Sequence, residues 1–66
     1  MTEHVIATME GLRDVGWMTT DEVARVAKVP VRSVIPCLVR LRARGDVRSR
    51  FDRAAGGIEW IARHFR

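Results

Sequence analysis

The sequence predicts a mainly α fold that ends in a small β-hairpin, and two patterns carry this prediction. Apolar residues recur at helical spacing in three segments before Gly45, which is typical of amphipathic helices. After Gly45, two short segments of alternating character flank a turn of sequence DRAAGG, a pattern that favours a hairpin. We therefore expect helices over 2–14, 20–27 and 30–44 and a hairpin over 46–63.

The length and composition limit what the chain can be. Its 66 residues predict one domain, 1–66. A domain of this size buries only about 60% of the surface that its unfolded chain exposes. One cysteine excludes an internal disulfide. The two histidines, His4 and His64, lie at opposite ends of the chain, so we expect no metal site.

Location and catalysis are constrained in the same way. No apolar run approaches the roughly 20 residues that cross a bilayer, and the N-terminus lacks the pattern of a signal peptide. Together with a single thiol, this favours the cytoplasm. The sequence holds no glycine-rich phosphate loop and no nucleophile with a histidine and an acid at catalytic spacing. We therefore expect neither an enzyme nor a cofactor.

The first predicted helix, 2–14, carries its apolar residues on one stripe that faces the core. This stripe consists of Val5, Ile6, Met9 and Leu12. Thr2 is the expected N-cap, because a threonine hydroxyl can accept a hydrogen bond from a first-turn amide. Gly16 is the expected end of the helix, in the left-handed conformation.

A short extended segment, Trp17 and Met18, follows the first helix. We expect Trp17 to fill part of the core, since large apolar side chains at such positions are usually buried. The alternative is that Trp17, Met18 and Trp60 line a small effector pocket, a role that apolar residues at this spacing take less often.

The second helix, 20–27, opens with a capping box, Thr19-x-x-Glu22. In this motif the threonine hydroxyl accepts from the Glu22 amide while the Glu22 carboxylate accepts from the Thr19 amide. The inward face is predicted to consist of Val23, Val26 and Ala27. Pro30 ends the helix, because the residue before a proline is driven out of the helical region.

The third helix, 30–44, is expected to begin with Pro30 in its first turn and to stop at Gly45. Its core positions are Val34, Leu38 and Leu41. On a helical wheel its apolar arc spans about 200°, whereas a helix that faces one core needs only somewhat over about 100°. Packing against one core therefore does not account for Ile35 and Val39. Either the hairpin and the first helix cover them, or they form an exposed flank that contacts a dimer mate or a protein partner.

Pro36 is out of place inside a helix that starts near residue 30. It removes the hydrogen bond to the carbonyl of Arg32, at a cost of about 3 kcal/mol in a helix interior. Either the helix kinks at Pro36, or Ser33 is the true N-cap and Pro36 lies in the first turn. We favour the kink, because Val34 must stay in register with the core positions that follow it.

Charge is unevenly distributed along the chain. Residues 1–22 hold five acids against Arg13, a net charge of −4, whereas residues 23–66 hold eleven Arg or Lys against three acids, a net charge of +8. A polyanion would be attracted to the second part and repelled by the first. The alternative is an arginine-rich surface that is simply solvated. The segregation along the chain favours the polyanion.

The order of elements resembles the winged helix-turn-helix family. The resemblance rests on the capping box Thr19 and Glu22, the EVA of the second helix, and the segment VPVRSVIPCLVRLRARGDV. It covers nearly the whole chain, but its motifs are apolar spacings, which specify a fold better than a function. It implies a three-helix core with a two- or three-stranded wing, 46–63, and a third helix that enters the DNA major groove.

The resemblance also implies candidate DNA contacts. The residues that would face the groove are Arg32, Ser33, Pro36 and Arg40. Those of the wing that would contact phosphates are Arg48, Arg50 and Arg53, with Lys28 and Arg25 near the turn between the helices. Pro36 has no hydrogen-bonding side chain, so the helix offers few groups for reading bases.

Two functions follow as hypotheses. The first is a small transcriptional regulator that binds duplex DNA through the third helix and the basic wing. It would act as a dimer or with a second tethered domain, because one such domain makes few base contacts. The second is a winged-helix protein-interaction module, an adaptor or an inhibitor of the kind that phages encode, which binds a partner protein through the flank of Ile35 and Val39.

Overall fold

The computed structural model describes residues 1–63, which form three α-helices and a three-stranded antiparallel sheet. The helices are α1 (Thr2–Gly11), α2 (Thr20–Ala27) and α3 (Val31–Arg44), and the strands are β1 (Met18–Thr19), β2 (Val47–Asp52) and β3 (Gly57–Ala62). The architecture is mixed α and β. The expectation of a mainly α chain with a hairpin was incomplete, because the short segment after α1 pairs with β3 and extends the hairpin into a sheet.

Helix α1 is shorter than the predicted 2–14. It ends at Gly11, and Arg13–Val15 form a single 3₁₀ turn instead. A glycine weakens a helix because it has the most conformational freedom to lose, which accounts for the end at this point. Gly16 follows the 3₁₀ turn with φ 96° and ψ −152°, so it is not the left-handed helix cap that the sequence predicted.

The start of α1 also differs from the prediction. Thr2 is the first helical residue and Met1 occupies the N-cap position, where no side chain caps the helix. The Thr2 hydroxyl instead donates to Cys37 Sγ of α3 at 3.7 Å. The predicted capping role of Thr2 is therefore wrong, and its side chain contributes to the contact between α1 and α3.

Helix α2 begins as predicted. Thr19 Oγ1 accepts from the Glu22 amide at 3.2 Å and Glu22 Oε1 accepts from the Thr19 amide at 2.8 Å, so the capping box is confirmed. The buried residues of α2 are Val23, Ala24 and Ala27. Val26 is 38% exposed, so its assignment to the inward face was wrong and Ala24 takes that place.

Helix α3 starts one residue after the predicted position. The amides of Ser33 and Val34 donate to the Pro30 carbonyl at 2.9 and 3.0 Å, so Pro30 is the N-cap. The alternative in which Ser33 caps the helix is wrong, and Pro36 lies inside α3. Gly45 ends the helix with φ 84° and ψ 12°, the predicted left-handed cap.

The sheet has the strand order β1-β3-β2, so β3 is central. Met18 of β1 and Ser49 of β2 are both register partners of Trp60, while Arg48 pairs with Ile61. Because side chains alternate along a strand, Trp60 and its partners face one side of the sheet and Arg48 and Ile61 face the other. We call the second side the outer face.

The core lies between the three helices and the inner side of the sheet. It is one cluster of apolar side chains: Val5, Ile6, Met9, Met18, Val23, Ala24, Ala27, Val34, Cys37, Leu38, Leu41, Val47, Trp60 and Ala62. The predicted core positions of α3 are all in it. Trp60 also donates its indole N–H to Thr20 Oγ1 at 3.0 Å, which satisfies its one polar group. Within residues 1–63, no helix has the length and apolar character that crossing a membrane requires.

Candidate nucleic-acid interface

The outward side of α3 carries the residues that the sequence predicted to face a groove. Arg32, Pro36 and Arg40 follow one another at intervals of four and are all exposed, so they line one side of the helix. Ser33 is half-buried. Their orientation follows from the opposite side, where Val34 and Leu38 are fully buried in the core and fix the rotation of the helix.

The predicted wing residues lie on the β2–β3 hairpin. Arg48 and Arg50 alternate with Val47 and Ser49 along β2, so both project from the outer face of the sheet. Arg53 lies in the turn between the strands and is exposed. Helix α3 packs on the inner side, where the Arg42 guanidinium donates to Ser49 Oγ at 3.2 Å. Arg48 and Arg50 therefore face away from α3.

The arginines singled out from the sequence thus occupy two surfaces. Arg32 and Arg40 are on the outward side of α3, and Arg48 and Arg50 are on the outer face of the sheet. Arg53, at the tip of the hairpin, belongs to neither strand. Sequence reasoning placed all of them at one interface, because it could not show which side of β2 the arginines occupy relative to α3.

Arg50 differs from the other predicted contacts because it already has an anionic partner. Its Nε donates to Glu59 Oε1 at 2.9 Å, its Nη2 lies 2.9 Å from the same oxygen, and its guanidinium lies 4.4 Å from the centroid of the Trp17 ring. Glu59 is buried. A carboxylate in this position offsets the charge of Arg50, so this arginine is less available to a phosphate than its neighbours.

Lys28 and Arg25 lie near the turn between α2 and α3, and both are exposed. Lys28 caps α2 in the left-handed conformation, with φ 59° and ψ 45°. It is the one residue other than glycine with positive φ in the described part of the chain. This conformation lets the chain reverse within three residues and start α3 at a new angle.

Arg44 forms ion pairs that the sequence did not indicate. Its guanidinium contacts Glu3 Oε2 at 3.0 Å and Asp46 Oδ2 at 2.7 Å. The hydrogen bond that Arg44 donates to Glu3, and then the negative charge of Asp46, raise the pKa of Arg44 above its ordinary value. The acidic N-terminal part of the chain therefore contacts the basic part, because Glu3 lies beside the C-terminal end of α3.

Several exposed basic residues have no such partner in the part of the chain that the structure describes. Among residues 1–63, no carboxylate lies within 4.0 Å of the charged groups of Arg25, Lys28, Arg32, Arg40, Arg48 or Arg53. Coulombic attraction to a polyanion acts on these charges without first breaking an ion pair.

Ile35 and Val39 are exposed to 45% and 48%. The alternative in which the hairpin and α1 cover them is therefore wrong. Val31, one turn before Ile35, is 40% exposed and continues the same strip. The apolar flank of α3, defined as Val31, Ile35 and Val39, is open to solvent along three turns.

The hairpin adds two exposed apolar residues that the sequence analysis did not single out. Phe51 is 71% exposed and its register partner Ile58 is 45% exposed. Both follow the alternation of Trp60, so they lie on the inner side of the sheet beyond the helices. Their position two residues beyond Trp60 in the register is the signal that would have shown them to be uncovered.

The three residues proposed as an effector pocket do not line one cavity together. Trp17 and Met18 line a cavity of about 190 Å³ beside Leu12 and Val26, but Trp60 is not among its described lining residues. Met18 and Trp60 are in the core, whereas Trp17 is half-buried on the outer face. The prediction that Trp17 fills the core was also wrong, because Trp17 lies on the outer face of the sheet. It immediately precedes β1, and Met18 takes the inner side, so alternation turns Trp17 outward.

Within residues 1–63, no group of three or more His, Cys, Asp or Glu is placed to hold a metal ion. His4 Nε2 donates to the Ala27 carbonyl oxygen at 2.7 Å, because a carbonyl oxygen can only accept. His64 and the basic residue Arg66 lie outside the described residues.

Comparison of the chain with protein-family models, curated proteins and solved structures finds no match.

Proposed function

We propose that this protein is a small DNA-binding protein of winged-helix type, a cytoplasmic transcriptional regulator that contacts duplex DNA through α3 and the β2–β3 hairpin. The observation that carries the proposal is the outward side of α3. Arg32 and Arg40 lie there two turns apart, exposed and without a carboxylate partner among residues 1–63. Guanidinium groups bind phosphate oxygens and guanine edges with two parallel hydrogen bonds.

The order of elements supports the same proposal. A short helix, a tight left-handed turn and a second helix precede an antiparallel hairpin, which is how helix-turn-helix proteins present a helix to the major groove. Arg53 at the hairpin tip and Lys28 at the turn supply further phosphate contacts. Arg48 contributes only if the duplex reaches the outer face.

The contacts proposed for one domain account for its affinity for DNA but not for sequence specificity. Pro36 occupies the middle of the outward side and has no group that hydrogen-bonds a base. Phosphate contacts supply affinity without sequence information, so one domain binds many sequences with similar strength. Specific binding therefore needs a homodimer that places two copies on neighbouring half-sites.

Electrophoretic titration of a duplex at low salt tests the proposal. We expect a shift that weakens steeply as salt rises, because binding releases the counterions of the contacted phosphates. Folded protein that gives no shift at low salt would exclude DNA binding.

A second candidate function is a protein-interaction module, an adaptor or inhibitor. The exposed apolar flank of α3 favours it, because Ile35 and Val39 lose contact with water only if a partner covers them. The unpaired arginines beside the flank would then select an acidic partner or one that mimics nucleic acid.

Two pairs of variants separate the candidates. Under the DNA-binding proposal, Arg32→Ala with Arg40→Ala lowers DNA affinity, while Ile35→Asp with Val39→Asp abolishes only dimerisation and the binding that depends on it. Under the second candidate, the aspartate pair removes a protein complex and leaves DNA affinity unchanged. Gel filtration beside the electrophoretic titration measures both properties on the same samples.

A further inference from the structure

The outer face of the sheet contains a cleft that shares only Arg48 with the proposed DNA contacts. Its volume is about 370 Å³ and its lining residues are Arg13, Trp17, Arg48, Ile61, Ala62 and Arg63. This volume lies within the range of about 300–1,000 Å³ that is typical of small-molecule sites. Among the described residues that line it, none is acidic and three are arginines.

The three arginines come from separate parts of the chain. Arg13 is in the 3₁₀ turn after α1, Arg48 is on β2, and Arg63 directly follows β3. Like charges repel, so bringing these three guanidinium groups together does not stabilise the fold. Among residues 1–63, none of the three has a carboxylate within 4.0 Å.

Two of these guanidinium groups are held in place by the backbone. Arg13 Nε donates to the Ala62 carbonyl at 3.0 Å, and Arg63 Nη1 donates to the Gly45 carbonyl at 3.1 Å. A carbonyl oxygen orients a guanidinium without neutralising it. Each group therefore keeps its full charge and further N–H donors, and less side-chain entropy is lost when an anion binds.

The remaining wall of the cleft is aromatic and apolar. Trp17 is half-buried and takes no part in the core, and Ile61 is also half-buried. The Arg50 guanidinium, 4.4 Å from the Trp17 ring centroid, fixes the position of the indole, while Glu59 holds Arg50. A rigid aromatic surface beside three cations fits a ligand that has a planar ring at one end and an anion at the other.

We propose that this cleft binds the phosphate of a nucleotide, free or at the end of a strand, with the base packed against Trp17 and Ile61. Guanidinium forks match phosphate oxygens in geometry as well as charge. A base of any identity can stack on an aromatic side chain, and this stacking strengthens binding of the nucleic acid. The site lies on the side of the sheet away from α3, so it is separate from the proposed major-groove contacts.

Titration of ¹⁵N-labelled protein with ATP and with pyrophosphate tests the inference by NMR. We expect saturable ATP binding that shifts the Trp17 indole and the Ile61 amide. The Trp60 indole, bonded to Thr20 inside the fold, is an internal control that stays in place. ATP binds more tightly than pyrophosphate, because only ATP offers a base to Trp17. Equal affinities would overturn the role of Trp17.

Substitutions test the role of the arginines. Arg13→Met removes a guanidinium that is not among the proposed DNA contacts, and we expect roughly tenfold weaker ATP binding with unchanged duplex binding. Arg53→Met, the matched control, removes the same charge outside the cleft and leaves ATP binding unchanged. Arg48→Met, whose side chain makes no hydrogen bond within residues 1–63, weakens ATP binding without the loss of a backbone contact.

The outcomes distinguish the inference from its alternatives. If Arg13→Met and Arg53→Met weaken ATP binding equally, ATP is held only by general attraction between opposite charges, and the proposed site is overturned. Loss of duplex binding with intact ATP binding would contradict the proposed function alone. Comparison of an oligonucleotide with and without a 5′ phosphate identifies the source of the phosphate. Absence of binding by both ATP and the phosphorylated strand would overturn the inference.

Discussion

At the scale of single residues, the turn from the sheet into α2 depends on Thr19. Its hydroxyl accepts from the Glu22 amide, while its own amide donates to the Glu22 carboxylate. Two amides at the start of a helix are satisfied in this way, and these amides have no partner within the helix. The same residue ends β1, so one side chain fixes where the strand stops and the helix begins.

Replacement of Thr19 by alanine removes the capping hydroxyl. We expect Thr19→Ala to lower the free energy of unfolding by about 1 kcal/mol, the usual cost of losing an N-cap side chain. Urea denaturation followed by circular dichroism measures it. Thr8→Ala is the matched control: the Thr8 hydroxyl donates to the His4 carbonyl within α1, where alanine is a better helix former. A larger loss for Thr8→Ala than for Thr19→Ala would contradict this account.

Residue-scale features were predictable from the sequence where their partners are close along the chain. The capping box joins residues three apart, and the Gly45 cap depends on the local backbone alone. The pairing of Arg44 with Glu3 joins residues 41 positions apart. No local pattern encodes such a distance, so this contact became visible only with the packing of α1 against α3.

At the scale of elements, α3 contains a proline in its interior. Residues on both sides of Pro36 remain helical, and the core positions Val34 and Leu38 are both fully buried. Burial of these side chains holds the helix together across a position that lacks one backbone hydrogen bond. Because Pro36 is exposed, its ring contributes nothing to the core that alanine would lose.

Pro36→Ala therefore restores a backbone donor at no cost in packing. We expect the free energy of unfolding to rise by roughly 1–3 kcal/mol, since proline is about 3 kcal/mol less favourable than alanine inside a helix and also restricts the unfolded chain. Thermal and urea denaturation measure the change. Pro30→Ala, at the N-cap where no amide hydrogen is needed, serves as the control and gains no comparable stability. A loss of stability in Pro36→Ala would show that the proline has a structural role.

Helical periodicity predicted the existence of all three helices, but it did not decide between neighbouring apolar residues. Val26 was expected inside, yet Ala24 is buried and Val26 is 38% exposed. The small side chain of Ala24 allows a close approach that a larger residue would prevent. The pairing of Met18–Thr19 with β3 was also missed, because two residues are too few to show alternation.

At the scale of the whole molecule, the sign of the charge was predictable from the sequence but its arrangement on the surface was not. The basic part of the chain supplies two surfaces, the outward side of α3 and the outer face of the sheet. Alternation along β2 determines this division, since Val47 faces the core and Arg48 and Arg50 therefore project from the opposite side, away from α3. A one-dimensional pattern of arginines does not show which side of the sheet the helices cover. The candidate site was thus predictable on α3 and unpredictable on the sheet.

The salt dependence of duplex binding tests the central claim, that the outward side of α3 contacts DNA. Fluorescence anisotropy of a labelled duplex, measured over a range of salt, gives the slope of log Kd against log salt for the protein and its variants. We predict that Arg32→Ala with Arg40→Ala reduces the slope by about two, at about 0.9 for each lost phosphate contact. Arg44→Ala, whose guanidinium is paired with Glu3 and Asp46, leaves the slope unchanged. An unchanged slope and affinity in the double variant would contradict the claim.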